Sequence, residues 1–112
     1  MLSNKISKYY LNLRHLKKEK IKMIEDLENL TKNGWEKSAD GVAIKKTFIF
    51  PDFIEALGWM VKAGVCAEKL NHHPEWSNVY KTVDVLLTTH DEGSITILDV
   101  KLAQKMDKLY ES

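Results

Sequence analysis

The stretch Trp35-Glu36-Lys37-Ser38-Ala39-Asp40-Gly41-Val42-Ala43-Ile44-Lys45-Lys46-Thr47-Phe48-Ile49-Phe50-Pro51-Asp52-Phe53 changes backbone regime three times. Trp35 to Ala39 and Val42 to Phe50 hold β-branched and aromatic residues on either side of Asp40-Gly41, so they read as two strands of a hairpin. Asp-Gly supplies the positive φ that a type I′ turn needs at both central positions. Pro51-Asp52 breaks the second strand. Asp52 followed three residues later by Glu55 has the form of a capping box, so a helix starts there.

Working outward, Ile24, Leu27 and Leu30, with Ile21 and Met23 beside them, recur near helical spacing from about Leu16, and Asn33-Gly34 can end that helix in the left-handed conformation. On the other side, Phe53, Ala56, Leu57, Met60, Gly64 and Ala67 lay an apolar stripe along a helix that runs to about Leu70. Trp59 and Cys66 fall off that stripe, which leaves them to edge packing or to a subunit interface. Trp76 to Val79 and Val83 to Thr89 read as two further strands. In the second, Val83, Val85, Leu87 and Thr89 point one way, and Asp84, Leu86, Thr88 and His90 the other. Asp91-Glu92-Gly93-Ser94 is a turn. Thr96 caps a last helix with Asp99 three residues in, Ile95 can staple onto Val100, and Leu98, Leu102, Met106 and Leu109 form its stripe. The order α-β-β-α-β-β-α with short connections predicts an α+β two-layer domain: a four-stranded antiparallel sheet with three helices packed on one face.

A chain of 112 residues with 44% hydrophobic and 29% charged content is one ordinary globular domain, with neither a disordered composition nor a membrane span. Seventeen basic residues against sixteen acidic give no general attraction for nucleic acid. The local exception is Lys5, Lys8, Arg14, Lys17, Lys18, Lys20 and Lys22, which meet only Glu19. Residues 1–15 are therefore set apart as a basic N-terminal extension from a domain over 16–112. That extension reads as a solvated lead-in to the first helix, with a membrane-surface or targeting segment as the alternative. The single Cys66 cannot form an intrachain disulfide, which fits a reducing cytoplasm.

Chemistry concentrates in Glu68-Lys69-Leu70-Asn71-His72-His73-Pro74-Glu75-Trp76 and Thr88-Thr89-His90-Asp91, which hold three of the four histidines. Imidazole both donates and accepts protons near neutral pH. His73 precedes Pro74 and is biased away from helical φ/ψ, so the helix should stop at or before the His pair. His72 then sits at a helix C-terminus, four residues after Glu68, and both features favour its protonated form. Asp99, in the first turn of the last helix, is placed to stay ionised and to orient an imidazole or bind a substrate N–H. A metal site is disfavoured, because adjacent histidines seldom chelate one ion and no Cys or His stands at zinc-motif spacing. His15 is an exposed residue of the basic run, and Trp76 and Tyr80 read as core or pocket wall.

Glu68, three residues, His72-His73-Pro74, five residues, Tyr80, nine residues, His90, eight residues and Asp99 together resemble the signature of pterin-4a-carbinolamine dehydratases, whose animal members are also called dimerisation cofactors of hepatocyte nuclear factor. The resemblance runs from Gly34-Trp35 to Leu109 and takes in Lys46 to Phe53 and Ala67 to Leu70. It implies a four-stranded antiparallel sheet covered on one side by helices. It makes His72, His73 and His90 the active-site histidines, with His72 and His90 transferring protons and His73 chiefly binding substrate. Glu68 and Asp99 become supporting carboxylates, and Asn71, His72, His73, Thr88, Thr89, His90 and Asp91 line a pterin pocket. The implied reaction dehydrates 4a-hydroxytetrahydrobiopterin to quinonoid dihydropterin in tetrahydropterin recycling, without metal or organic cofactor. The sequence departs from the animal pattern at Asn71, where Asp is usual, at Leu98, where Arg is usual, and at Ser94-Ile95, where Gly-Leu is usual.

A non-catalytic module that binds a protein partner on the same fold is the alternative, motivated by Trp59, Cys66 and those departures. A small sheet with a free strand edge also predicts a homodimer by edge pairing, and Trp59 offers a helix contact for a homotetramer. Neither nucleic acid nor membrane is an expected partner.

Overall fold

The computed structural model describes residues 2–112, with side chains from Ile6 onward. Met1 and the Lys5 side chain, both in the basic segment, lie outside that description. The elements are α1 (Leu2–Lys32), β1 (Glu36–Lys37), β2 (Ile44–Ile49), α2 (Phe53–Leu70), β3 (Glu75–Val79), β4 (Thr82–Leu87) and α3 (Ile97–Glu111). The sheet is antiparallel throughout, in the order β1-β2-β4-β3. The α+β architecture expected from the sequence is the one observed. Inward residues of the central strands, Ile44 and Phe48 from β2 and Val83, Val85 and Leu87 from β4, meet the helices in one core. The outward face carries Lys45, Thr47, Asp84, Leu86 and Ser77, which line an open groove of about 690 Å³.

Several local readings change. α1 starts at Leu2 rather than near Leu16, so the basic extension is continuous helix with the first domain helix. β1 shrinks to two residues because Ser38 and Asp40 satisfy the hairpin backbone with their own side chains. Ser38 Oγ accepts from the Ala43 N–H, Asp40 Oδ1 accepts from the Val42 N–H, and the Gly41 N–H donates to the Ser38 carbonyl. Gly41 alone takes positive φ, at 75°, and Asp40 does not, so the type I′ turn is replaced by a wider loop. These local bonds compete with the ladder.

The α2 stripe is rotated from its expected position. Ala56, Trp59, Ala63 and Ala67 face the core, while Phe53 and Leu57 are exposed with Ile54, Val61 and Val65. Trp59 is 5% exposed, lies 4.4 Å from Phe48 between ring centroids, and donates Nε1–H to the Met106 carbonyl. The expected interface role of Trp59 is therefore wrong: three alanines on α2 let the helix approach closely enough for one large indole to fill the layer, and spacing counts do not see that volume match. Cys66 packs at the edge of the core.

In α3 the inward face includes Asp99 and Asp107 beside Val100, Leu102, Ala103 and Met106, whereas Leu98 is only half-buried. Asp107 accepts hydrogen bonds from Asn33 Nδ2, Trp35 Nε1 and Lys46 Nζ, the last at 2.7 Å. This carboxylate ties the end of α1, the segment after it and β2 to α3. Tyr80, expected in the core or a pocket wall, sits exposed in the two-residue β3–β4 connection at φ 53°. Asn78 Nδ2 donates to the carbonyls of Tyr80 and Thr82, which holds that unusual turn.

Candidate active site

The end of α2 positions the first two histidines. Asn71 adopts the left-handed conformation at φ 49°, the His72 N–H donates to the Ala67 carbonyl, and the Asn71 N–H donates to that of Glu68. This is the Schellman closure, which needs a residue tolerant of positive φ after the helix. α1 ends in the same way, with Gly34 at φ 101° and the Trp35 N–H on the Leu30 carbonyl. Asn tolerates that backbone better than most residues. The departure at Asn71 thus has a conformational account, and the closure fixes His72 two residues beyond the end of α2.

His72 is the buried histidine, and its partner is Asp99 rather than Glu68. His72 Nε2 lies 2.5 Å from Asp99 Oδ1. Asp99 is fully buried, and its Oδ2 accepts from the Thr96 N–H and the Thr89 hydroxyl, both at 2.8 Å. The capping box predicted at Thr96 is present. A carboxylate surrounded by donors acts as an acceptor only, so the proton in the His72–Asp99 contact resides on Nε2. In the neutral imidazole, the form that could accept a proton, Nδ1 is then the lone-pair nitrogen. Nδ1 has no partner among the described residues, and no buried side-chain N or O among them lacks one, so Nδ1 opens to solvent.

The other two imidazoles are exposed and each has its own carboxylate. His73 Nε2 is 3.3 Å from Glu68 Oε1, and His90 Nε2 is 2.6 Å from Glu75 Oε1. Glu68 therefore serves His73, because the chain turns away from the helix axis after Asn71 and the helical i,i+4 relation to His72 no longer holds. Glu75 was missed by the sequence reading. Its signal was available only through pairing: Glu75 lies opposite Leu86 near the end of β4, within reach of the His90 turn.

Contacts between His72, Asp99 and Thr89, between His73 and Glu68 and between His90 and Glu75 tie a corner of the domain where the ends of α2 and β4 meet the starts of β3 and α3. Thr89 joins that network through Asp99, whereas the Thr88 hydroxyl donates to the Val42 carbonyl at 2.7 Å and is held by the hairpin. Thr89 also bridges to Ser94 across the turn that carries His90 and Asp91, both exposed. The groove on the outer sheet face contains none of the histidines, and Glu75 is the residue shared between groove and corner. Among the described residues no three His, Cys, Asp or Glu side chains converge as a metal site.

A family model described as pterin 4 alpha carbinolamine dehydratase matches residues 15–109, which takes in every element except the start of α1 and the last two residues of α3. The chain belongs to the pterin-4-alpha-carbinolamine dehydratase family. A relative from Roseobacter denitrificans, provisionally named pterin-4-alpha-carbinolamine dehydratase, is 59% identical over 74% of this chain and 85% of its own length. One from Dinoroseobacter shibae, named in the same way, is 58% identical over 76% of this chain and 88% of its own length. Among solved structures, a transcriptional coactivator/pterin dehydratase from Brucella melitensis is 48% identical with a TM-score of 0.73, covering 79% of this chain and 92% of that one. A pterin dehydratase-like protein described as a RuBisCO assembly factor of the alpha-carboxysome shares the fold at 16% identity and a TM-score of 0.61, over 70% of this chain and 92% of its own.

Proposed function

We propose that this family member dehydrates a 4a-hydroxytetrahydropterin to the quinonoid dihydropterin. The observation that carries the reading is a corner with three imidazoles, each on its own carboxylate, one pair buried and two open. The reaction breaks the C4a–OH bond, removes the neighbouring N5 proton and releases water. It needs one group that gives a proton to the departing hydroxyl and one that takes a proton from nitrogen. His72, held by Asp99 with a lone pair open at Nδ1, suits the accepting role. His90 in its protonated form donates one N–H to Glu75 and retains a second for the hydroxyl. His73, restrained by Pro74 and near Glu68, suits substrate binding. Each positioned proton transfer is worth about 10²–10⁴-fold.

Purified protein with 4a-hydroxytetrahydropterin generated in situ tests this directly. His72→Ala and His90→Ala should each slow turnover, and the double variant should approach the uncatalysed rate. A stable double variant that keeps full activity would remove the catalytic assignment. The alternative, a non-catalytic binding module, loses one of its motives because Trp59 is in the core. It predicts no turnover by wild type.

A further inference from the structure

The buried stripe of α1 continues past the edge of the domain. Leu30, Leu27 and Met23 pack on the core, and alternating steps of three and four residues carry the same face through Lys20, Leu16, Leu13, Tyr9 and Ile6. Ile6, Tyr9, Tyr10, Leu13 and Leu16 are all exposed. The long dimension of the molecule, 64 Å against 29 and 25 Å, reflects this overhanging helix. An isolated helix of that length is marginal in water, and most helical stability comes from covering an apolar face. Here the face is built and nothing among the described residues covers it.

Charge selects the occupant. Between Ile6 and Ile24 six lysine and arginine side chains, all exposed, stand against one acid, Glu19, which His15 contacts at 2.9 Å, and of the six Lys22 meets an acid beyond the segment, Asp26, at 3.4 Å. Lys8, Arg14, Lys18 and Lys22 lie on the side away from the stripe, and Lys17 and Lys20 lie beside or within it, where their stems can cover apolar surface while the ammonium groups reach outward. A second copy of this helix would bring the same cations together, so self-pairing along the stripe is opposed. An anionic bilayer surface satisfies both halves: acyl chains receive Ile6, Tyr9, Leu13 and Leu16, and headgroup phosphates receive the lysines. Tyrosines favour that boundary, with an apolar ring and a polar tip. No described helix is long and apolar enough to cross a membrane, so the arrangement is in-plane.

We propose that residues 6–22 of α1 are a surface anchor for membranes rich in anionic lipid headgroups. The anchor is independent of the dehydratase reading, since α1 contributes none of the corner histidines or carboxylates. The test is sedimentation of the full chain with vesicles of phosphatidylcholine alone or with about one third phosphatidylglycerol. Wild type should bind the anionic vesicles only, and binding should fall roughly tenfold or more when salt rises from about 0.1 M to about 1 M. The pair Leu13→Gln and Leu16→Gln, which keeps every charge and good helix formers, should lose about tenfold or more, as should Lys17→Gln with Lys20→Gln, the cations beside and within the stripe. Circular dichroism and pterin turnover without lipid should match wild type for both pairs, which separates loss of the anchor from misfolding. No binding by wild type to anionic vesicles at low salt would overturn the proposal. So would Leu-to-Gln variants that bind as wild type does, or a lipid-free oligomer, seen by light scattering, that the same pair dissolves; the last result would give the face to a second copy.

Discussion

Replacing Asp99 by Asn probes fold and chemistry at one buried atom pair. Asp99 accepts from His72 Nε2, the Thr89 hydroxyl and the Thr96 N–H, at 2.5, 2.8 and 2.8 Å. The amide that replaces it must aim its NH₂ at one of these donors. The Thr96 backbone N–H cannot change its role, whereas an imidazole can change tautomer. The amide nitrogen should therefore face His72, which moves the ring proton from Nε2 to Nδ1 and turns the solvent-facing nitrogen from acceptor to donor. Bonds to a charged acceptor contribute about 1 kcal/mol more than neutral ones, and relief of a buried charge offsets part of that, so stability should fall by about 1–3 kcal/mol. A domain of this size has about 5–15 kcal/mol to lose from and stays folded. Turnover should fall much further, by about 10²–10⁴-fold, because the proton acceptor is gone. Urea unfolding gives the first quantity, initial rates on 4a-hydroxytetrahydropterin the second, and ¹⁵N chemical shifts of His72 report the tautomer. Turnover within about threefold of wild type, with Nδ1 shown to carry the proton, would refute the reasoning.

Asp107→Asn leaves Lys46, whose side chain is 12% exposed, without its counter-charge; it should lower stability by about 3–5 kcal/mol, read as a fall in the urea midpoint at unchanged slope. The Ser38 hydroxyl, with the Val42 N–H, holds the Asp40 carboxyl below the usual carboxylate range. A depressed carboxyl stabilises the fold above its unfolded pKa, and that contribution is lost as pH falls through the lower folded value. Wild type should thus lose more stability than Asp40→Ala as pH drops below about 4, and parallel acid-unfolding curves would contradict this. The outer edge of β3 is unpaired among the described residues, so light scattering at low micromolar concentration should find a dimer; Val79→Lys, at a position 76% exposed on that strand, should shift it toward monomer. A monomeric wild type would defeat the edge-pairing argument.

Asn33-Gly34, Asp52, Pro74 and Thr96 made every helix limit but the start of α1, and the α-β-β-α-β-β-α order, legible in the sequence, because caps and left-handed closures depend on residues within a few positions of one another. The histidines were legible because their spacing carries a family pattern. Which carboxylate serves which imidazole was decided only in three dimensions. Asp99 reaches His72 across 27 positions and Glu75 reaches His90 across 15, through strand register and helix packing that no local rule contains. Trp59 shows the same limit in the core: hydrophobic spacing laid one stripe along α2 that left Trp59 off it, whereas the volume left by Ala56, Ala63 and Ala67 against Phe48 turns the helix to bury the indole. Short-range chemistry is written in neighbouring residues. Long-range pairing follows from how whole faces fit, and that is a property of the folded chain.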